Sequence, residues 1–503
     1  MTQNEMKKVI IIGAGLGGLS AAISLAVIGY SVHLFEKNEK VGGKLNVLNK
    51  EGFCFDLGPS ILTLPHYFRR LWTRAGRRME DDITIETVTP HWRNFFEDGT
   101  VVDLHMDPAG MRKELSKLGD PDLERAFFKF LKYSGEQYDI LERGYFEKGL
   151  DAKRDFISFY DWKTLLKIDY WTTMHKRVRK RLKNSYLIDI MDYFIKYVGS
   201  SALRAPGFMN LMPTIQFRYD LWYVKGGMYH LAAGMEHLAK SLGVDIRLNS
   251  EVTEIVRKEK HVLGVKLDDG SFHAADILVS NMEVIPAYER LLKEDENFLR
   301  TLDPFEPSCS GLVLHIGTNR VFPQLAHHNF FYAKDQEKHF QAVFEEGLIP
   351  EDPTLYVVAP SRTDPSVCPQ GCDNIKILPH IPYLKKEGNP HPEVYHALKR
   401  RILQKMERTG LKGLSESIIV EDMWTPFDIQ KRYYSNGGSI YGVVSDQKKN
   451  FALKHPKKSS KYRNLFFTGG SVNPGGGMPM VVLCGQNVAD KIHEEYSDRA
   501  IKR

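Results

Sequence analysis

Residues 7–37, KKVIIIGAGLGGLSAAISLAVIGYSVHLFEK, read as strand, tight turn, helix and second strand. Val9 to Ile12 are a β-branched run suited to a parallel strand covered on both faces. Gly13-x-Gly15-x-x-Gly18 follows at once, with Leu16 and Gly17 inside it. The first glycine permits the turn, the second lets the backbone approach a pyrophosphate, and the third brings helix and strand together. The helix then presents its N-terminal amides to the phosphates. Glu36, beside Lys37, ends the second strand 18 residues after Gly18. A carboxylate there accepts both ribose hydroxyls and repels a 2′-phosphate. Strand, helix and acid together specify a dinucleotide site and leave open which dinucleotide it takes.

The same stretch carries no Lys, Arg, Asp or Glu from residue 9 to 35, so a hydropathy window flags it as a membrane span. The glycine spacing explains it better, and no signal peptide is expected, because the apolar run passes any plausible cleavage site. With 503 residues the chain is too long for one core, and two or three domains are expected. The net charge of +6 is mild and selects neither nucleic acid nor membrane. Cys54, Cys309, Cys368, Cys372 and Cys484 are odd in number and scattered, which argues for reduced thiols in the cytosol. Cys368 and Cys372 lack a second ligand pair, so no metal site is expected.

Just beyond the second strand stand Gly42-Gly43-Lys44, followed by GFCFDLGPS at 52–60. A flavin dinucleotide is longer than one Rossmann half and needs contacts past the βαβ unit. Gly42 and Gly43 let backbone pass close to such a ligand, and Lys44 offers a cation near its pyrophosphate. Here the chain resembles the superfamily of FAD-dependent amine oxidases and carotenoid desaturases. The resemblance implies FAD, held by Gly13, Gly15, Leu16, Gly17, Gly18, Glu36, Lys37, Gly42, Gly43, Lys44, Gly58, Pro59 and Ser60. It also implies a chain that leaves the nucleotide domain, builds a substrate domain, and returns to close over the flavin ring.

A returning segment reads as strand, glycine turn and helix, and LFFTGGSVNPGGGMPM (465–480) has that form, with five glycines between Gly469 and Gly477. Leu465 to Thr468 are the expected strand and Gly469–Gly470 the turn. A helix from about Met480 aims its positive end at the flavin, with Gly475 to Gly477 leaving room for the ring and Met478 and Pro479 beside it. A third piece, residues 243–283, alternates apolar and polar residues in short strands with a DDG turn. It reads as a β-meander, and the resemblance to FAD-dependent amine oxidases and carotenoid desaturases implies that it lies beside the adenine, with main-chain groups near Val252 contacting the base. No second strand–GxGxxG–helix unit is present, so the flavin's electrons come from the substrate or an outside donor.

Residues 111–222 read as helical and aromatic-rich. Within them, 161–183 carries eight Lys or Arg against two Asp. Ile168, Trp171, Met174, Val178 and Leu182 recur there at spacings of three and four, as on one helix stripe. A basic helix with tryptophan on its apolar side fits an anionic membrane surface, and without a reading motif nucleic acid is not expected. His327 and His328 are adjacent and cannot both face one metal from a strand; they read as packing or pocket residues. No Ser–His–Asp, HExxH or paired-ligand pattern occurs, so a bound flavin would do the redox step while the polypeptide supplies a long apolar slot.

From end to end the chain is similar to bacterial carotenoid desaturase-type flavoproteins, and within them to diapocarotenoid oxygenases that oxidise terminal methyl groups. FDLGPSILTLP, YFIKYVGSS, LWYVKGG, LVSNMEVIP, LPHIPY and GGSVNPGGGMPM carry that similarity. Related desaturases show Thr-His-Pro where this chain has Val472-Asn473-Pro474, which places Asn473 as the candidate catalytic residue near the flavin's reactive face. The resemblance implies an α/β protein of the glutathione reductase/amine oxidase kind. Its Rossmann-type FAD-binding domain takes 1–75, 223–285 and 455–503. An interleaved α+β substrate domain takes 76–110 and 286–454, and a helical, membrane-facing region 111–222. It further implies oxidation of a C30 carotenoid methyl to an aldehyde, an external acceptor such as dioxygen or a quinone, and a cytoplasmic protein resting on the cell membrane. Two alternatives stay open: a desaturase delivering hydride to FAD, and a non-enzymatic prenyl-binding chaperone.

Overall fold

The computed structural model describes residues 7–497. Five parallel strands form one sheet: β1 (Lys8–Ile12), β2 (Ser31–Phe35), β3 (Asp245–Arg247), β4 (Ile277–Ser280) and β5 (Leu465–Phe467). Their order is β5-β4-β1-β2-β3, with Ile10 between Leu278 and His33 in register. Val9 to Ile12 are buried on both faces, as an uninterrupted apolar run predicts. Helix α1 (Leu16–Val27) follows β1, and α2 (Met478–Tyr496) follows β5 and packs directly on α1. The contact is tight enough to require glycine. A Cβ on Gly485 would lie 2.5 Å from the Gly17 carbonyl oxygen and 2.7 Å from the Ala21 nitrogen. Ser20 Oγ donates to the Val482 carbonyl at 2.5 Å across the same seam. Widely separated parts of the chain therefore build one nucleotide-type domain.

The expected meander over 243–283 divides. β3 and β4 join the parallel sheet, and only Val252–Lys258, His261–Leu267 and Phe272–Ala274 make an antiparallel sheet of their own. In these middle strands the alternation is interrupted by register shifts between Val252 and Glu254 and between Val256 and Arg257, whereas Ile277 to Ser280 are buried throughout because β4 is covered on both sides. The Asp268–Asp269–Gly270 turn closes with the Gly270 amide donating to Leu267 O at 3.1 Å.

A second, eight-stranded sheet runs in the order Ile418–Trp424, Val313–Thr318, Asp373–Ile381, Leu355–Val358, His328–Phe331, Trp92–Phe95, Val101–Leu104, with Ser310–Gly311 pairing off the path. Helix Pro392–Arg408 packs Tyr395, Leu398, Ile402 and Met406 against its Ile316, Ile375 and Val357. Residues between 108 and 219 are mostly short helices. Here the structure corrects one expectation. Residues 161–183 are two helices, Trp162–Lys167 and Met174–Arg181, each started by its own side-chain cap, Asp161 and Thr173. Met174, Val178 and Leu182 are buried, but Trp171 stands in the connection between the helices. Among the described residues no helix is long and apolar enough to cross a membrane. All five cysteines are free thiols.

Candidate functional site

One cavity of about 630 Å³ runs from the glycine turn after β1 into the region between the large sheet and the helices. At its first end it is lined by Gly13, Gly15, Leu16, Gly17, Glu36, Lys37, Gly42, Gly43, Lys44, Gly58, Pro59, Ser60 and Val252. Gly469, Gly470, Gly477, Met478 and Pro479 line the same cavity. Gly18 does not: a Cβ there would sit 2.1 Å from Gly13 O, so it serves the close packing of helix on strand. Glu36 is buried, and its carboxylate accepts from the Ala14 amide at 2.8 Å and from both the amide and Nδ2 of Asn38 at 2.9 and 2.7 Å. A carboxylate has about four acceptor sites. With three used, Glu36 keeps about one for a ribose hydroxyl, fewer than the two the sequence suggests.

The two glycine clusters meet around one side chain that the sequence reading did not single out. Asn281 follows β4 at the carboxyl edge of the parallel sheet, where ligands of this architecture bind. A Cβ on Gly17 would be 2.7 Å from Asn281 Oδ1 and 3.1 Å from the Gly469 nitrogen, and one on Gly469 would be 2.8 Å from Asn281 Oδ1. α2 begins at Met478, two residues before the expected start, with Pro479 in its first turn. Proline has no N–H, so the Met478 and Met480 amides are the unpaired donors that this helix turns to the cavity. Gly475 does not line the cavity; its α-carbon faces the Lys454 stem, while Gly476 is forced by the Tyr441 carbonyl.

Several cations surround this end. Lys44 pairs with Glu283 at 3.0 Å and donates to Ser439 O at 2.9 Å, while Glu283 also accepts from the Asn436 amide at 3.0 Å. The ammonium expected at a pyrophosphate is thus already neutralised, and it ties residues 436–440 to the nucleotide domain. Lys37 and Arg290 both lie over the Tyr434 ring, at 3.3 and 3.6 Å from its centroid. Burial holds Lys37 below the usual lysine range, against the pull of Glu251 and Glu36. Lys376, from the large sheet, donates to Asp56 O, Gly58 O and Ser60 Oγ and so fixes the Gly58–Pro59–Ser60 loop. Burial lowers Lys376 to about 8 and raises its neighbour Asp56 to about 6.

Beyond the glycines the cavity becomes an apolar slot between Leu141, Phe146, Phe208, Met209, Met212 and Ile215 of the helical region and Val313 and Leu378 of the large sheet. A glycine-lined cradle, a buried acid and a helix N-terminus opening on one elongated cavity match a nucleotide cofactor at the head of an apolar slot.

Comparison with known proteins agrees. Residues 16–367 match the family described as flavin containing amine oxidoreductase. The chain belongs to the flavin-containing amine oxidoreductase family. Within the flavin-containing amine oxidoreductases it is 56% identical to the 4,4'-diapolycopene oxygenase of Methylomonas sp, over 98% of this chain and 99% of that one. It is 46% identical to the 4,4'-diaponeurosporene oxygenase of Staphylococcus haemolyticus strain JCSC1435, over 97% of each. The solved structure of putrescine oxidase bound to putrescine has the same fold, with a TM-score of 0.62 at 14% identity over 97% of this chain and 99% of that one. The chain is accordingly a flavin-dependent oxidoreductase.

In this flavin-containing amine oxidoreductase, Asn473 does not line the cavity. Its buried side chain is consumed by the protein. Oδ1 accepts from Tyr145 OH at 2.8 Å and from the Lys454 amide at 2.7 Å; Nδ2 donates to Asp151 O and Lys454 O, both at 3.1 Å, and to His455 O at 3.3 Å. The neighbouring Pro474 lines the cavity and Asn473 does not. Its hydrogen bonds join the 469–477 segment to residues 145–151 and 454–455. His327 and His328 are buried, bonded to Thr363 Oγ1 at 2.7 Å and Tyr356 OH at 3.0 Å, and burial pushes both rings below the usual histidine range.

Proposed function

We propose that this chain oxidises a terminal methyl group of a C30 carotenoid to an aldehyde, with FAD as the flavin. The observation that carries the reading is the continuity of one cavity from the dinucleotide cradle into a long apolar slot. The near-full-length similarity to two proteins named as diapocarotenoid oxygenases supports it. Glu36 and the Asn281-centred glycines would hold the ribose and pyrophosphate, Val252 would face the adenine, and the first turn of α2 would face the flavin ring. The flavin, when bound, supplies the two-electron redox chemistry. The polypeptide would align the polyene and exclude water, while Glu283 holds Lys44 and the 56–60 loop holds Lys376. With dioxygen as acceptor the conversion balances as R–CH3 + O2 → R–CHO + H2O, so no external reductant is needed.

The same reading places the protein on an anionic bilayer. Helices Lys153–Phe159 and Trp162–Lys167 contain no buried residue. Ile157, Trp162, Leu166 and Trp171 are 70%, 67%, 73% and 89% exposed, interleaved with Lys153, Arg154, Lys163 and Lys167. Bulky apolar tips among basic residues suit the lipid headgroup zone.

The test supplies purified flavoprotein with diaponeurosporene in liposomes under air. An aldehyde detected by mass, with one O2 consumed per aldehyde, is the expected result. New double bonds formed anaerobically with a quinone, and no oxygenated product, would instead establish a desaturase.

A further inference from the structure

Lys196 lies in the short turn Phe194–Val198 and is 4% exposed, yet its side-chain nitrogen faces the cavity. Among the described residues it has no ion pair and no hydrogen-bond partner. Four aromatic rings surround it instead: Tyr356, Tyr197, Phe330 and Trp92, with centroids at 3.9, 4.7, 4.8 and 5.0 Å. The other buried lysines of this region behave differently: Lys376 is held by three oxygens, and Lys454 donates to Val443 O at 2.6 Å and Ser445 Oγ at 2.8 Å. A lysine nitrogen left without a protein partner beside a cavity is available to whatever occupies that cavity.

Its location says which part of the ligand. The carbonyl of Tyr197, the next residue, lies 3.8 Å from where a Cβ on Gly477 would stand, and Gly477 caps the helix that faces the flavin ring. Lys196 is thus at the inner, redox end of the slot. Leu141, Phe146 and Phe208, which line the same cavity, offer a polyene only apolar wall. Converting methyl to aldehyde passes through the alcohol oxidation level, and apolar walls alone give no reason to hold an alcohol for its second oxidation.

We propose that Lys196 is the residue that binds the oxygen-bearing end of the substrate, retaining the alcohol so that oxidation proceeds to the aldehyde. Burial and the nearby Lys376 hold this amine well below the ordinary lysine range. Its N–H groups donate to a hydroxyl or carbonyl oxygen, an acceptor that the bare methyl lacks. This inference rests on the function proposed above.

The test compares holoenzyme, Lys196→Met and Lys196→Gln, reading binding by quenching of tryptophan fluorescence. The probes are a C30 carotenoid hydrocarbon and the same polyene bearing one terminal alcohol. Lys196→Met is expected to bind the hydrocarbon within about two-fold of the parent, to bind the alcohol about five- to ten-fold more weakly, and to release alcohol during turnover. Lys196→Gln, which keeps a donor and an acceptor, should restore most of the alcohol affinity. Equal weakening for both probes would mark a purely structural lysine and overturn the inference. So would an unchanged alcohol-to-aldehyde ratio in a variant whose parent makes aldehyde, and that result would leave the proposed function standing. A parent protein that binds neither polyene overturns both. Borohydride treatment of aldehyde-loaded enzyme should leave the chain mass unchanged; a gain equal to the polyene would reveal covalent capture in place of hydrogen bonding and overturn the assignment.

Discussion

Gly485→Ala tests whether α1 and α2 are locked together under the cofactor. Two effects oppose each other. Alanine inside a helix is favoured over glycine by about 0.8–1.0 kcal/mol. Against this, the new carbon would stand 2.5 Å from Gly17 O, 2.7 Å from the Ala21 nitrogen and 2.7 Å from Ser20 Cβ. Ordinary carbon contacts lie near 3.5 Å, so the helices must separate by roughly 1 Å. Two of the three obstacles are backbone atoms, which cannot rotate away. Overpacking of this kind costs about 1–3 kcal/mol, and the least compressible cases fall at the upper end. The net expectation is a loss of about 2 kcal/mol, together with a displaced Gly17 turn. Gly135→Ala is the matched control: it also lies inside a helix, but its Cβ would meet only the mobile end of Arg218, 2.9 Å away, and the Thr214 hydroxyl at 3.8 Å. Thermal scans and the flavin bound per chain after gel filtration read both variants. Gly485→Ala should melt earlier and emerge depleted of flavin, whereas Gly135→Ala should match or exceed the parent. A Gly485→Ala protein as stable and as yellow as the parent would refute the reasoning.

Asn473→Ala strands the Lys454 amide and the carbonyls of Asp151 and Lys454, whereas the Tyr145 hydroxyl keeps Pro474 O and His455 O keeps the amide of residue 473, so stability should fall by about 3 kcal/mol, while the protein that stays folded keeps the parent's product distribution; a changed ratio of oxygenated products would return Asn473 to the chemistry. Burial lowers Lys454 from 10.5 to about 7. A depressed lysine contributes stability that is present above pH 10.5 and lost as pH falls through 7, so Lys454→Met should flatten the rise in melting temperature between about pH 7 and pH 10. Trp162→Ala with Trp171→Ala should leave melting unchanged, because both rings are exposed, and lower binding to anionic vesicles about ten-fold in co-sedimentation. Raising the salt should weaken the parent's binding as well.

The parts of the fold written locally were legible beforehand. β1, α1 and β2 follow from a β-branched run, a glycine turn and an acid inside 31 consecutive residues. The returning strand and helix were recognisable for the same reason. What stayed hidden depends on partners far along the chain. Lys44 reads as a free cation until Glu283 is found 239 residues away, and the partners of Asn473 come from positions 145, 151, 454 and 455. The 161–183 stripe failed differently: its caps, Asp161 and Thr173, were visible, but apolar periodicity runs across a break that only the caps reveal. Lys196 sits unremarked in YFIKYVGSS, since nothing local marks a lysine that four distant rings will enclose.

The parallel sheet ends in β5, which is laid against β4 only after some 460 residues have been synthesised. While the ribosome is still translating the middle of the chain, the nascent nucleotide domain has an open sheet edge at Ile277–Ser280 and half a binding site. The wall that α2 gives the cavity is therefore the last to be made, and a chain stopped before residue 478 lacks it.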